Sequence, residues 1–129
     1  YNQILSFGID KFYSVEMGFT DKYFEIGFST FTLEDNYRYI KECLLGEKLV
    51  PRYRLHNVNK KLLHVVAVLE NEAGDICAFY ETILGHIDMN SRKTSEMEED
   101  FLSNLISLMQ ESSNIKIDMD LRLKIKDLK

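Results

Sequence analysis

At 129 residues, 45% hydrophobic and 29% charged, with one proline and six glycines, the chain has the size and composition of one ordinary globular domain. Its net charge of -5 comes without a basic stripe, which argues against nucleic acid as a partner. No apolar run reaches the ~20 residues that a membrane-crossing helix needs and no signal peptide is visible, so no membrane partner is expected.

The first stretch, residues 1–17, organises the rest. Tyr1, Ile4, Leu5, Gly8, Ile9, Phe12 and Val15 fall on one arc of a helical wheel, the signature of an amphipathic helix laid on a large apolar surface. Nothing before Tyr1 caps this helix, so a further segment is expected upstream. Thr20 is a candidate cap for one or two turns over residues 20–26, stopped by Gly27. Residues 28–43 read as a long strand in which Phe31, Leu33, Tyr37 and Tyr39 alternate with Thr30, Thr32, Glu34, Asn36 and Arg38, while Asp35 interrupts the apolar side. A turn centred on Gly46 and Glu47 leads to a second strand over residues 48–57, where Pro51 indicates an edge or a bulge.

Residues 57–60 turn the chain again. The third strand, 61–70, carries a nearly continuous apolar run from Leu62 to Leu69, which predicts burial on both faces and a central position. A hairpin at residues 72–75 leads to a fourth strand over 76–88. Ser95 with Glu98 reads as a capping box for a second amphipathic helix that runs to about residue 112. In the tail, residues 113–129, Ile115, Ile117, Met119, Leu121, Leu123 and Ile125 alternate with polar residues. Such an extended strand invites pairing, so it is expected to dock. Cys43 and Cys77 lie in apolar strand-like contexts without metal-ligand spacing, which predicts buried thiols in a reducing, cytoplasmic setting.

No nucleophile elbow, phosphate-binding glycine loop or metal-spaced histidine pair is present, so neither a metal nor a cofactor is expected. The chemistry-bearing candidates are polar residues set in apolar strands: Glu34 with Thr32 and Asn36, His64, Glu81 and His86. A carboxylate in an apolar sheet is costly unless it is paired or shifts its pKa, and both situations occur in active sites. Each also has a structural reading. Glu34 can face solvent, Glu81 can pair with Lys61 or Arg38, and His64 can be a hydrogen-bonded strand histidine.

The order helix, short helix, long strand and three further antiparallel strands resembles the α+β hotdog fold, a sheet wrapped around a central helix, here with a C-terminal helix. More specifically it resembles the thioesterase-like hotdog proteins and, among them, the betainyl-CoA thioesterase group of carnitine degradation. Phe31-Thr32-Leu33-Glu34, the turn Gly46-Glu47-Lys48-Leu49, Lys61-Leu62-Leu63-His64, and the spaced Ala78, Glu81, His86 and Asp88 carry the likeness. Leu62 stands where that group has an arginine. The resemblance implies a single hotdog domain and a homodimer or dimer of dimers with acyl-CoA as ligand. It also implies hydrolysis of a small acyl-CoA thioester, with a non-catalytic acyl-CoA-binding or structural protein as the alternative.

Catalysis is then expected from Glu34, Thr32 and Asn36. Substrate contacts are expected from Tyr1, Lys61, His64 and Glu81, with Lys61 on the CoA phosphates. The family's acidic residue and Gly-His pair precede the central helix, so that position is not carried onto this sequence, and the first strand and catalytic loop are expected upstream of Tyr1.

Overall fold

The protein is described by a computed structural model covering residues 12–13, 17–40, 48–112, 123 and 125. Most of the expected first helix, Tyr1 included, lies outside the described residues, as do Cys43, the 41–47 turn and most of the tail. What is described of that helix is a wide turn in which Met17 N–H donates to Phe12 O at 3.0 Å.

Thr20 caps α1 (Asp21–Glu25), its hydroxyl accepting from Tyr23 N–H at 3.4 Å. Gly27, at φ +103°, supplies the left-handed conformation that ends the helix and turns the chain into β1 (Phe28–Tyr39). Three strands follow: β2 (Val50–Val58), β3 (Leu62–Glu70) and β4 (Ile76–Asp88). The chain then forms a two-residue β5 (Lys93–Thr94) and ends its described part in α2 (Glu99–Ser112).

The strands form one antiparallel sheet in the order β1-β4-β3-β2, with β5 paired antiparallel to the end of β4. The continuous apolar run does mark a central strand, for residues 63–69 are all buried. Pro51 lies in β2, an edge strand, where its missing N–H costs no ladder bond. Between β3 and β4 the side chain of Asn71 accepts from the N–H groups of Ala73 and Asp75, both at 3.0 Å, which folds the hairpin.

One face of the sheet takes the helices. Leu55, Val58, Leu63, Val65 and Leu84 pack there against Phe12, Met17, Phe19, Leu102 and Leu105. On the opposite, outer face, Val66, Val68 and Phe79 form a separate buried cluster.

Three expectations are corrected. The first strand ends at Tyr39, and Ile40 is already outside it. Ser95 does not open α2, which begins at Glu99, because the Ser95 carbonyl and hydroxyl both lie 3.0 Å from His86 Nδ1. A tertiary partner has claimed the capping side chain. Thr32 and Glu34 do not share a face. Thr32 pairs with Leu84 and Glu34 with Ile83, leaving Leu33 as the extra residue of a β-bulge. A slip of one residue exchanges the faces.

Candidate active site

The bulge decides which polar groups of β1 meet which neighbours. Thr30, Thr32, Asp35, Tyr37 and Tyr39 pair with His86, Leu84, Thr82, Tyr80 and Ala78, the helix-facing positions of β4. Phe31, Glu34, Asn36 and Arg38 pair with Gly85, Ile83, Glu81 and Phe79, the outer ones. Contacts agree with this division. Tyr37 stacks on Tyr80 with ring centroids 4.1 Å apart, whereas the Arg38 guanidinium lies 4.3 Å from the centre of the Phe79 ring.

On the helix-facing side, at the sheet's edge, Tyr80 O–H donates to Asp35 Oδ1 at 2.6 Å. Tyr80 is buried, and burial, reinforced by the Asp35 carboxylate, pushes its phenol well above the ordinary range. It therefore stays protonated and serves as a fixed donor. Asp35 is exposed, and no hydrogen bond to a described residue occupies its Oδ2. An oriented carboxylate with an open oxygen beside an apolar wall can take a proton from water. The wall is built from Ala67, Leu69, Ala78 and Tyr80, with Tyr37, Leu49 and Tyr53 packed against them.

A second polar group lies toward the start of β1. Tyr23 O–H and His86 Nε2 are 2.5 Å apart, and Tyr13 O–H and Thr30 Oγ1 are 2.7 Å apart. Burial, with the charge of Glu98, pushes the Tyr23 phenol up to about 12, and burial pushes His86 down. A neutral His86 that donates from Nδ1 to the Ser95 carbonyl and accepts at Nε2 from Tyr23 ties β4 to α1 and to the approach of α2. His86 is fully buried, so its role is to hold these elements.

The outer face gathers the remaining candidates. Glu81 is fully buried and takes His64 Nε2 on Oε2 at 3.1 Å and Asn36 Nδ2 on Oε1 at 3.2 Å. Burial outweighs the Glu81 carboxylate and pushes His64 down, so that it is neutral near pH 7. Next to it, the His56 ring meets the His64 ring edge-on at 5.0 Å, and Arg54 Nη2 lies 3.0 Å from His56 Nδ1. An open cleft of about 370 Å³ lined by Arg54, Leu55, His56, Met109 and Gln110 lies at the β2 edge. The width of the sheet separates it from Asp35.

The residues expected to act together are thus divided. Glu34 and Asn36 belong to the outer face and Thr32 to the helix face, while His64 and Glu81 are enclosed as a pair. Lys61 is exposed at the β2–β3 turn. Asp35 is the residue that the strand reading passed over. Its signal was in the sequence, as the one acid on the apolar side of β1. Among the described residues no group of three metal-ligating side chains occurs, and no helix is long and apolar enough to cross a membrane.

Comparison with solved structures gives the fold its relatives. A Staphylococcus aureus protein in complex with CoA is 24% identical, with a TM-score of 0.83 over 98% of this chain and 80% of the other. The DHNA-CoA thioesterase of Staphylococcus aureus is 18% identical, with a TM-score of 0.69 over 90% of this chain and 81% of the other. A Thermus thermophilus thioesterase complexed with coenzyme A and zinc is 15% identical, with a TM-score of 0.59 over 76% and 69% respectively. These likenesses establish the α+β hotdog architecture. No curated protein matches the chain. The thioesterase-like superfamily matches residues 1–105, and the chain belongs to that family.

Proposed function

We propose that this protein hydrolyses a small acyl-CoA thioester, with Asp35 as the general base. The observation that carries the reading is the Tyr80–Asp35 hydrogen bond, which holds an accessible carboxylate against an apolar wall in a thioesterase-family fold. In this reaction Asp35 takes a proton from water as the water oxygen attacks the thioester carbonyl carbon. The tetrahedral oxyanion then collapses, the C–S bond breaks, and the proton passes to the departing CoA sulfur, leaving a free carboxylic acid. Thioesters are activated acyl donors, so little more than a base and a polarised carbonyl is required.

Thr32, exposed on the same face as Asp35, is the neighbouring side chain able to hold the substrate. Lys61 is the candidate contact for the CoA phosphates. Within the acyl-CoAs we favour a trimethylammonium-bearing acyl group. The resemblance to betainyl-CoA thioesterases supports it, and so does the partly exposed ring of Tyr37, on the same face as Asp35, an aromatic group able to meet a quaternary cation.

We further assign a homodimer joined through β1. This strand is an edge of the described sheet, twelve residues long, and exposes Phe31, Leu33 and Tyr39, with Ile40 beyond its end. Such a joint brings a second copy alongside Asp35. Sedimentation of the wild-type chain as a monomer at micromolar concentration would refute it. The buried thiol of Cys77 supports a reducing, cytoplasmic setting.

The function is tested by a steady-state screen across short, branched, aromatic and trimethylammonium-bearing acyl-CoAs. Turnover concentrated on one class is expected. Binding without turnover would make the protein an acyl-CoA-binding module, and neither binding nor turnover would overturn the reading.

A further inference from the structure

The Leu33 bulge has a buried hydroxyl beside it. Thr82, on the helix-facing side of β4, is 1% exposed, and its Oγ1–H donates to the Glu34 carbonyl at 3.2 Å. That carbonyl belongs to the peptide joining Glu34 to Asp35, and Asp35 is the residue that pairs with Thr82 across the sheet. Tyr80, two residues back on the same face of β4, holds the Asp35 carboxylate at 2.6 Å. Two successive helix-facing residues of β4 therefore hold Asp35, Thr82 by the backbone leading into it and Tyr80 by its side chain. A bulge disrupts the hydrogen-bond ladder locally, so a hydroxyl that gives a carbonyl there a donor stabilises the bulged form.

The alternative register shows what this bond decides. Before the bulge the pairing runs from Phe28 with Asp88 to Thr32 with Leu84. Continued without the bulge, it would set Leu33 opposite Ile83, Glu34 opposite Thr82 and Asp35 opposite Glu81. Every residue after Leu33 would then change face. Glu34 would take the helix side, and Asp35 would leave Tyr80 for the outer side, opposite the buried carboxylate of Glu81. Like charges set directly opposite each other are unfavourable. On the outer face the bulged form is accommodated at Gly85, where a Cβ would lie 3.1 Å from Phe31 Cε1 and 3.4 Å from Leu33 Cδ1. Gly85 thus leaves room for both side chains, while Thr82 bonds the backbone from the other face.

We propose that Thr82 is a positioning residue of the site: by bonding the Glu34 carbonyl it fixes the bulge, and the bulge brings Asp35, rather than the adjacent Glu34, to the helix-facing side beside Tyr80. The inference rests on the reading of Asp35 as the general base. It adds the choice between two neighbouring carboxylates, which Tyr80 alone does not make, because its bond forms only once Asp35 faces it. Thr82 acts through the backbone, so its loss lowers the fraction of molecules with Asp35 in place. The effect falls on kcat and leaves KM nearly unchanged.

The test compares Thr82→Val, which keeps the side chain's shape and removes the donor, with Thr82→Ser, which keeps the donor. Loss of one neutral hydrogen bond predicts a fall in kcat of about two- to tenfold for Thr82→Val on the best acyl-CoA. Thr82→Ser should recover most of that loss, and in the Asp35→Asn background Thr82→Val should cost nothing further. Amide hydrogen exchange of residues 33–36, measured without substrate, should quicken by a similar factor in Thr82→Val and stay near the wild-type rate in Thr82→Ser. In the wild-type chain, cross-strand nuclear Overhauser contacts should pair Asp35 with Thr82. Pairing of Asp35 with Glu81 there would overturn the proposal even if Thr82→Val failed to fold. Wild-type exchange in Thr82→Val would also overturn it, as would a loss that Thr82→Ser does not recover, or wild-type kcat in Thr82→Val when Asp35→Asn has lost activity. Wild-type kcat/KM in Asp35→Asn would instead refute the general-base reading, and the exchange and Overhauser results would still decide whether Thr82 fixes the bulge.

Discussion

Replacing Asp35 by asparagine keeps the side chain's shape and removes its capacity to take a proton. A positioned general base contributes about 10²–10⁴-fold in rate, so kcat of Asp35→Asn on the best acyl-CoA should fall by that factor while KM changes little. Tyr80→Phe probes the same site from behind. The lost bond is short, 2.6 Å, and charge-assisted, and its donor is buried. Such bonds contribute about 1.5–3 kcal/mol, and because Asp35 is exposed to water the low end applies, about 1.5 kcal/mol. If that free energy orients the carboxylate for reaction, kcat should fall about tenfold. The two losses are not independent, since Tyr80 acts only through Asp35. In the Asp35→Asn background Tyr80→Phe should therefore cost almost nothing further in kcat. The assay is thiol release followed with a disulfide reagent, over a substrate range that separates kcat from KM. Wild-type kcat/KM in Asp35→Asn would refute the assignment outright. Fully multiplicative losses in the double variant would refute the claim that Tyr80 works by holding Asp35.

Two further predictions concern stability. His56, His64 and His86 all have pKa values pushed below the ordinary 6.5, in each case chiefly by burial. The unfolded chain therefore binds more protons than the folded one just below that value, so stability should decrease as pH falls through 6.5 and level off once the folded-state values are passed. Urea unfolding at pH 7.5 and pH 5.5 checks the sign, and equal or greater stability at the lower pH would contradict it. Tyr23→Phe removes the partner of a fully buried ring nitrogen, His86 Nε2. It should cost about 1–3 kcal/mol in the same experiment. A change within the measurement error would mean that this bond does not tie α1 to the sheet.

Much of the fold was legible because its signals are periodic. The apolar run from Leu62 to Leu69 could be satisfied only between two strands, and β3 lies there with β2 and β4 on either side. Thr20 and Gly27 mark the two ends of α1 as their chemistry requires. What could not be read was a choice between equivalent local patterns. From Phe31 to Tyr39 the alternation is interrupted on its apolar side by Asp35, which does not reveal that Leu33 is bulged and that the residues before it are turned over relative to those after it. Nothing in the composition of Thr32-Leu33-Glu34 distinguishes a bulge from a regular strand, since the slip is set by how β1 registers on β4. The capping box failed for a related reason: Ser95 is taken by His86, nine residues away in sequence, before it can cap anything.

The same distinction separates the two carboxylates. An acid within an apolar strand is compatible with catalysis and with structure alike, and burial by itself does not choose between them. The state of its lone pairs does. Glu81 is enclosed, with Asn36 and Leu123 on one oxygen and His64 on the other, so the arrangement that makes its burial tolerable also keeps water from it. Asp35 is exposed, with one buried donor fixing one oxygen and no described residue bonded to the other, which orients the carboxylate without exhausting it. A general base must accept one more hydrogen bond than its protein gives it, and of these two residues Asp35 meets that condition.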